Sequence, residues 1–186
     1  MKNRFVICRI SYPLPEAVLT AVPPGRIALL ARRPAEKRDQ SIAAEALLRA
    51  MLSDELGRSP GSFVIERPRG KKPCCAGVEF SLSHTDGAVC AALGTSPCGA
   101  DIEKLRPAKM HAARACFSDG ELRYMSDDPD TAFWELWTRR EAAFKCGCDG
   151  ETRTWLVDGF AVSLCGFECE PEMVTLAALA EKLSVL

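Results

Sequence analysis

Val78–Pro107 reads VEFSLSHTDGAVCAALGTSPCGADIEKLRP, and the alternation within it decides how the rest of the chain is read. Val78, Phe80 and Leu82 alternate with Glu79, Ser81 and Ser83, the period of two that a half-buried strand requires. Residues 84–87, HTDG, supply turn chemistry, and the uninterrupted apolar run Ala88 to Leu93 follows, so the pair predicts a β-hairpin. A further short strand covers Gly99 to Glu103. On it Asp101 and Glu103 are two residues apart, which projects both carboxylates from one face.

Outward from this hairpin, strand-like and helix-like periods alternate. Phe5 to Ile10 reads as an opening strand, and the Pro-rich run from Pro13 to Pro34 reads as loops around a short apolar segment. From Glu36 to Leu56 a long helix is predicted. Ile42, Ala43, Ala46, Leu47, Ala50 and Met51 fall on one stripe, with charged residues on the other side. Arg67 to Gly77, RPRGKKPCCAG, combines four basic residues with Gly and Pro and reads as an exposed loop. Beyond Pro107 the chain turns helical, first over Pro107 to Phe117 and then from Ser118, which has capping-box spacing with Glu121. A third helix covers Thr131 to Cys146, with Asp130 as its expected cap and Gly147 at the left-handed stop. The tail reads as strands at Trp155–Val157 and Phe160–Leu164, then a short helical or strand segment to Leu186.

Composition limits the functions these elements can serve. With 186 residues and 47% hydrophobic content, the chain can bury a core as one domain or as two small halves. Lys plus Arg number 24 against 25 Asp plus Glu, so no global field draws the protein to nucleic acid or to a membrane surface. The opening MKNRFVICRI is interrupted by Arg4 and Arg9, and no later stretch approaches a membrane span, so a cytoplasmic protein is expected. Ten cysteines lack paired C-x-x-C spacing and read as reduced, mostly buried apolar residues. A zinc site from Cys146, Cys148, Cys165 and Cys169 is the weaker alternative.

Two segments suggest chemistry. The Asp101 and Glu103 pair offers hard oxygen ligands of the kind magnesium takes together with waters and phosphate oxygens. An isolated D-x-E is more often two solvated charges at a strand end. On the third helix, FWELWTRREAAFKCG (residues 133–147), Trp137, Glu141 and Lys145 stack at i, i+4 spacing, and Arg140 lies beside them. Such a Glu-to-Lys pair alone is commonly a helix stabiliser of ~0.3–0.5 kcal/mol.

FSLSHTDG, then GADIEKLRP, then WTRREAAFK, taken in that order and spacing, resemble the signature set of the 4′-phosphopantetheinyl transferase superfamily. The resemblance covers roughly positions 37 to 148, and the length resembles the surfactin-synthetase-activating branch. It implies an α+β pseudo-dimer of two similar halves, residues 1–96 and 97–186, with the boundary near Thr95 to Cys98 and the site between them. It also implies that Asp101, Glu103 and Glu141 hold Mg²⁺ on the coenzyme A diphosphate, and that Lys145 binds a phosphate oxygen. Lys72 and His84 would contact the ribose 3′-phosphate, with Ser83 in the same turn. Arg26 is a candidate for that phosphate cluster and Arg140 a further substrate contact. Glu141, or a water it orients, would be the base for the carrier serine.

The implied reaction is displacement at the β-phosphate, with 3′,5′-ADP leaving. Phosphoryl transfer needs positioning and charge neutralisation rather than a protein nucleophile. The implied partner is an acyl, peptidyl or aryl carrier protein, met near Arg114 and the helices between Pro107 and Met125, and the protein is expected to be a monomer. Two departures stand out. Arg140 replaces the family's usual lysine, and Gln40 replaces an arginine common near the start of the first long helix. A coenzyme A or carrier-protein binding module without transfer, or a magnesium phosphohydrolase on the same carboxylates, are the competing functions.

Overall fold

Three prolines set where the first three helices begin. In the computed structural model, which describes all 186 residues, strand β1 (Arg4–Arg9) is followed by α1 (Glu16–Thr20), α2 (Pro24–Leu30) and α3 (Ala35–Leu56). Pro15, Pro23 and Pro34 occupy the N-cap positions of these helices. Proline's fixed φ and missing N–H cost nothing there. The Pro13–Pro34 stretch is therefore two short helices rather than the expected loops, held down by buried Val18 and Leu30.

The long helix forms where expected and stops at Gly57, whose φ of 63° is left-handed. Its face pattern differs from the expected stripe. Every residue from Gln40 to Ser53 is buried, because α1, α2, the final helix and the first sheet surround it. Charged residues in that span must find partners inside the protein.

The hairpin forms β2 (Glu79–Thr85) and β3 (Ala88–Gly94), and β4 (Gly99–Lys104) follows. Next come α4 (Met110–Cys116), α5 (Asp119–Tyr124) with the expected Ser118/Glu121 capping box, and α6 (Pro129–Cys146). The cap of α6 is Asp128, which accepts from the Thr131 N–H, rather than Asp130. Pro129 fills the first helical position, so the cap lies one residue before it, and Asp130 instead accepts from the Ala108 N–H. Gly147 ends the helix at a φ of 67°. Strands β5 (Thr152–Val157), β6 (Phe160–Cys165) and β7 (Pro171–Thr175) precede α7 (Leu176–Val185).

Two sheets result, ordered β2-β3-β1-β7 and β4-β6-β5. Strand, long helix and hairpin occur twice: β1, α3, β2 and β3, then β4, α6, β5 and β6. In each set the last strand pairs antiparallel with both others. The tail does not stay with the second set. β7 pairs in parallel with β1, and α7 packs on α1 and α3. A division of the chain at residues 96 and 97 thus follows chain order, while the last strand and helix complete the first sheet.

Period-two alternation sorts side chains between the layers. One face of β1 and β3 (Val6, Cys8, Val89, Ala91, Leu93) packs on α3, α1 and α7. The opposite face (Phe5, Ile7, Ala88, Cys90, Ala92) packs on Ala100, Ile102, Val162 and Leu164 of the second sheet. A third cluster joins α4, α5 and α6 around Phe133 and Trp134. Trp134 is 1% exposed and donates its indole N–H to the Arg106 carbonyl at 2.7 Å. That bond satisfies its polar edge inside the core.

Candidate active site

β2 and β4 bring the two sheets together without a backbone ladder. Polar side chains on alternate β2 residues reach across in order. Ser81 Oγ accepts from the Ala100 N–H at 2.9 Å, Ser83 Oγ donates to Asp101 at 2.7 Å, and Thr85 Oγ1 donates to Glu103 at 2.9 Å. Lys104 closes the series on Asp86 at 2.6 Å. The alternation that reads as a hairpin strand therefore has a second use, since its polar positions fix the register of β4. Asp101 and Glu103 lie on the same side, as their spacing predicts.

Helix α6 closes on β4 from the other side. Trp134, Thr138, Ala142 and Cys146, four residues apart, are all buried. The adjoining stripe of Trp137, Glu141 and Lys145 is half-buried. Contact is closest at Gly99, where a Cβ would lie 1.9 Å from the Ala142 carbonyl oxygen and 2.4 Å from the Cys146 nitrogen. Only glycine admits this approach. It sets Lys145 Nζ at 2.6 Å from Asp101 Oδ1 and 3.1 Å from the Ala100 carbonyl oxygen.

A basic cleft of about 280 Å³ opens beside Lys145 and takes in Arg26, Arg33, Arg67, Lys72 and His84. A neighbouring groove of about 560 Å³ shares Lys72 and Lys145 and continues along residues 71–80 to Thr95. Burial pushes the His84 imidazole down to about 4, with Lys37, Lys145 and Arg33 adding to the effect. Ser41 Oγ lies 3.3 Å from its Nε2, and its buried Nδ1 has no partner. A neutral ring among cations is poised to meet an anion.

Of the residues singled out in the sequence, Arg26, Lys72, His84 and Lys145 share this cleft. Ser83 is turned to Asp101. Arg140 points elsewhere, to Glu121 at 2.7 Å and over the Phe117 ring. Lys72 donates to the Cys98 carbonyl at 2.9 Å, which ties the basic loop to the start of β4. Sequence reading missed Arg33, Arg67 and Ser41 on the wall and Glu45 beneath it. Arg67 was visible only as one of four bases in a loop, and Glu45 as one charge on an amphipathic helix.

Residues 97–172, from just before β4 to the start of β7, match the family model for the 4′-phosphopantetheinyl transferase superfamily. Over 141 residues the chain is 35% identical to the 4′-phosphopantetheinyl transferase AcpT of Salmonella typhi, covering 71% of this chain and 65% of that protein. It is 27% identical over 136 residues to the 4′-phosphopantetheinyl transferase ffp of Bacillus subtilis, covering 69% and 60%. With the transferase HetI of Nostoc sp. it shares 31% over 128 residues, covering 62% and 54%. The chain is thus similar to 4′-phosphopantetheinyl transferases, and its residues 97–172 match the superfamily's model. It spans less than two thirds of the length of these relatives.

Likeness to this superfamily raises the question of a divalent cation. Asp101, Glu103 and Glu141 supply hard carboxylate oxygens, a donor chemistry that suits one. Burial and the Asp101 charge also raise the Glu103 pKa against the opposing pull of Thr85 and Arg106, which marks a place where added positive charge is favourable. The three side chains are not gathered, however. No group of three or more His, Cys, Asp or Glu is arranged to hold a metal. Each strand carboxylate already has protein partners: Asp101 is held by Lys145 and Ser83, and Glu103 by Thr85 and Arg106. The donor chemistry fits the ion: Lys145 and Ser83 share Asp101 Oδ1, and Thr85 and Arg106 share Glu103 Oε2, so each strand carboxylate keeps its other oxygen for it.

Proposed function

We propose that this chain transfers the 4′-phosphopantetheine arm of coenzyme A to a serine of an apo acyl or peptidyl carrier protein, with Mg²⁺, releasing 3′,5′-ADP. The observation that carries the reading is the cleft itself. Cations from the first half of the chain (Arg26, Arg33, Arg67, Lys72) face Lys145 of α6 across a seam that also holds Asp101. A ligand with phosphates at two separated positions suits such a trough. The basic end takes a terminal phosphate monoester, and the Lys145 end takes the diphosphate.

Bound Mg²⁺ would neutralise diphosphate charge, and Asp101, Glu103 and Glu141 are the residues to hold it. Lys145 orients a phosphate oxygen once released from Asp101. Glu141, or a water it holds, takes the proton of the carrier serine. Ser83 and Thr85 keep the strand carboxylates facing the seam. His84 and Lys72 bind the 3′-phosphate. Arg140, paired with Glu121, serves to tie α5 to α6. The two halves, residues 1–96 and 97–186, are read as a pseudo-dimer on the strength of their repeated connectivity, acting as a cytoplasmic monomer.

The ion pair between Lys145 and Asp101 favours a second reading, a binding module that takes coenzyme A without transferring its arm. Mass spectrometry of an apo carrier protein incubated with coenzyme A and Mg²⁺ separates the two. The transferase reading expects the added phosphopantetheine mass, its loss with EDTA, and its loss in Asp101→Ala and Glu141→Ala. Transfer that persists in both variants would remove the assigned carboxylates, and no transfer across a panel of carrier proteins would leave the binding module.

A further inference from the structure

Three guanidinium groups converge on one carboxylate beneath the basic cleft. Glu45 is 2% exposed. Its Oε1 accepts from Arg49 Nε at 3.2 Å and Nη2 at 3.0 Å, while its Oε2 accepts from Arg26 Nε at 3.0 Å and Arg67 Nη2 at 2.5 Å. Arg49 is also 2% exposed and donates its other nitrogen to the Pro60 and Phe63 carbonyls. It is a structural counter-ion facing away from the cleft. Arg26 and Arg67 line the cleft wall, with side chains 20% and 27% exposed. Each uses one nitrogen on Glu45 and keeps further N–H donors for the cleft.

One carboxylate neutralises one of three cations, so the surplus charge appears at the wall. Without it the guanidinium groups would repel. Burial lowers the Arg67 pKa, Arg26 and Arg49 push it the same way, and Glu45 opposes them. Arginine side chains are long and lose rotamer freedom when they grip a ligand, so groups already held in place bind more tightly than free ones. We propose that Glu45 is a positioning residue that fixes Arg26 and Arg67 as a two-guanidinium clamp for a phosphate monoester, the group that distinguishes coenzyme A from its dephospho form. This rests on the coenzyme A reading above and adds to it the origin of the discrimination.

The sign of one substitution separates positioning from bulk charge. Glu45→Gln removes a negative charge under the cleft, which by Coulomb attraction alone would strengthen anion binding. Loss of positioning weakens it. Calorimetric titration with coenzyme A and dephospho-coenzyme A gives the preference of each protein without requiring turnover. Wild type is expected to prefer coenzyme A. Glu45→Gln is expected to lose that preference by about tenfold or more, the low end for one charge-assisted contact, while its affinity for dephospho-coenzyme A moves little. Arg26→Gln/Arg67→Gln should lose it as well, and adding Glu45→Gln to that pair should change nothing further.

Where Glu45→Gln alone fails to fold because Arg49 is left buried without its partner, Glu45→Gln/Arg49→Met removes both interior charges and should show the same loss. A folded Glu45 variant that keeps or increases the preference overturns the positioning role. An unchanged preference in Arg26→Gln/Arg67→Gln overturns the clamp. Wild-type protein with no affinity for coenzyme A overturns the functional reading beneath both.

Discussion

Replacing Gly99 by alanine tests the contact that sets α6 against β4. The added methyl carbon would lie 1.9 Å from the Ala142 carbonyl oxygen and 2.4 Å from the Cys146 nitrogen, and both atoms belong to helix backbone that cannot rotate aside. Relief to an ordinary contact needs α6 to move by more than about 1 Å, which disturbs a close-packed interface. Overpacking of this kind costs about 1–3 kcal/mol, and a backbone clash belongs at the upper end. Alanine's smaller unfolded-state entropy returns about 0.5–1 kcal/mol, leaving a net loss of about 2 kcal/mol. For a chain of this size that lowers the melting temperature by about 4–8 °C. Urea unfolding followed by tryptophan fluorescence measures it, with Gly25→Ala as the control. Gly25 lies in α2 with nothing within 4 Å of a built Cβ, so its alanine should be neutral or stabilising. Equal midpoints for Gly99→Ala and wild type would refute the claim that α6 is seated by this contact, and with it the account of how Lys145 reaches Asp101.

Two further perturbations test neighbouring steps. The His84 imidazole is held at about 4 in the folded protein against an ordinary 6.5, so as pH falls the unfolded chain takes up that proton first. The contribution of His84 is complete above pH 6.5 and is lost progressively down to about 4. His84→Gln should therefore show a shallower loss of urea midpoint than wild type between those values, and parallel curves would refute the assignment. Asp128→Ala should lower stability by about 1 kcal/mol through loss of the α6 cap, and an unchanged urea midpoint would return the capping role to another residue.

Elements with a strong local period were legible in the sequence. The hairpin at β2 and β3, the long helices α3 and α6, and their glycine stops follow from alternation, helical spacing and left-handed glycine. The misreadings share a cause, which is that local patterns carry no information about what surrounds an element. Proline at three N-caps was read as loop because its compatibility with a helix start depends on the residues after it. Glu45 read as one charge on an exposed helix face, because nothing local shows that α1, α2 and the first sheet enclose α3 on all sides. At the site, the spacing of Asp101 and Glu103 gave their shared face, and the helical step gave the stripe of Glu141 and Lys145. That Asp101 meets Lys145 was beyond reach, since the two lie 44 residues apart in the chain.

The same geometry explains why the site lies at the seam. Neither set of strands could assemble it alone, since the cations of the cleft other than Lys145 come from α2, from the turn after it and from the loop before β2, while the carboxylates and Lys145 come from β4 and α6. Ser81, Ser83 and Thr85 join the two by bonding strand to strand through side chains. The neutral Ser81 bond is worth about 1 kcal/mol net and each bond to a carboxylate about 1.5–3 kcal/mol; the three in register fix the lateral position of β4, and Gly99 then fixes how closely α6 approaches it. Lys145 is where these constraints meet. It lines both the basic cleft and the larger groove while its ammonium rests on Asp101. An anion entering the cleft would compete with Asp101 for that ammonium, and its departure would leave Asp101 Oδ1 to Ser83 alone. Under the proposed function, an anion on Lys145 would leave more negative charge at Asp101, and by Coulomb attraction that would favour a cation there.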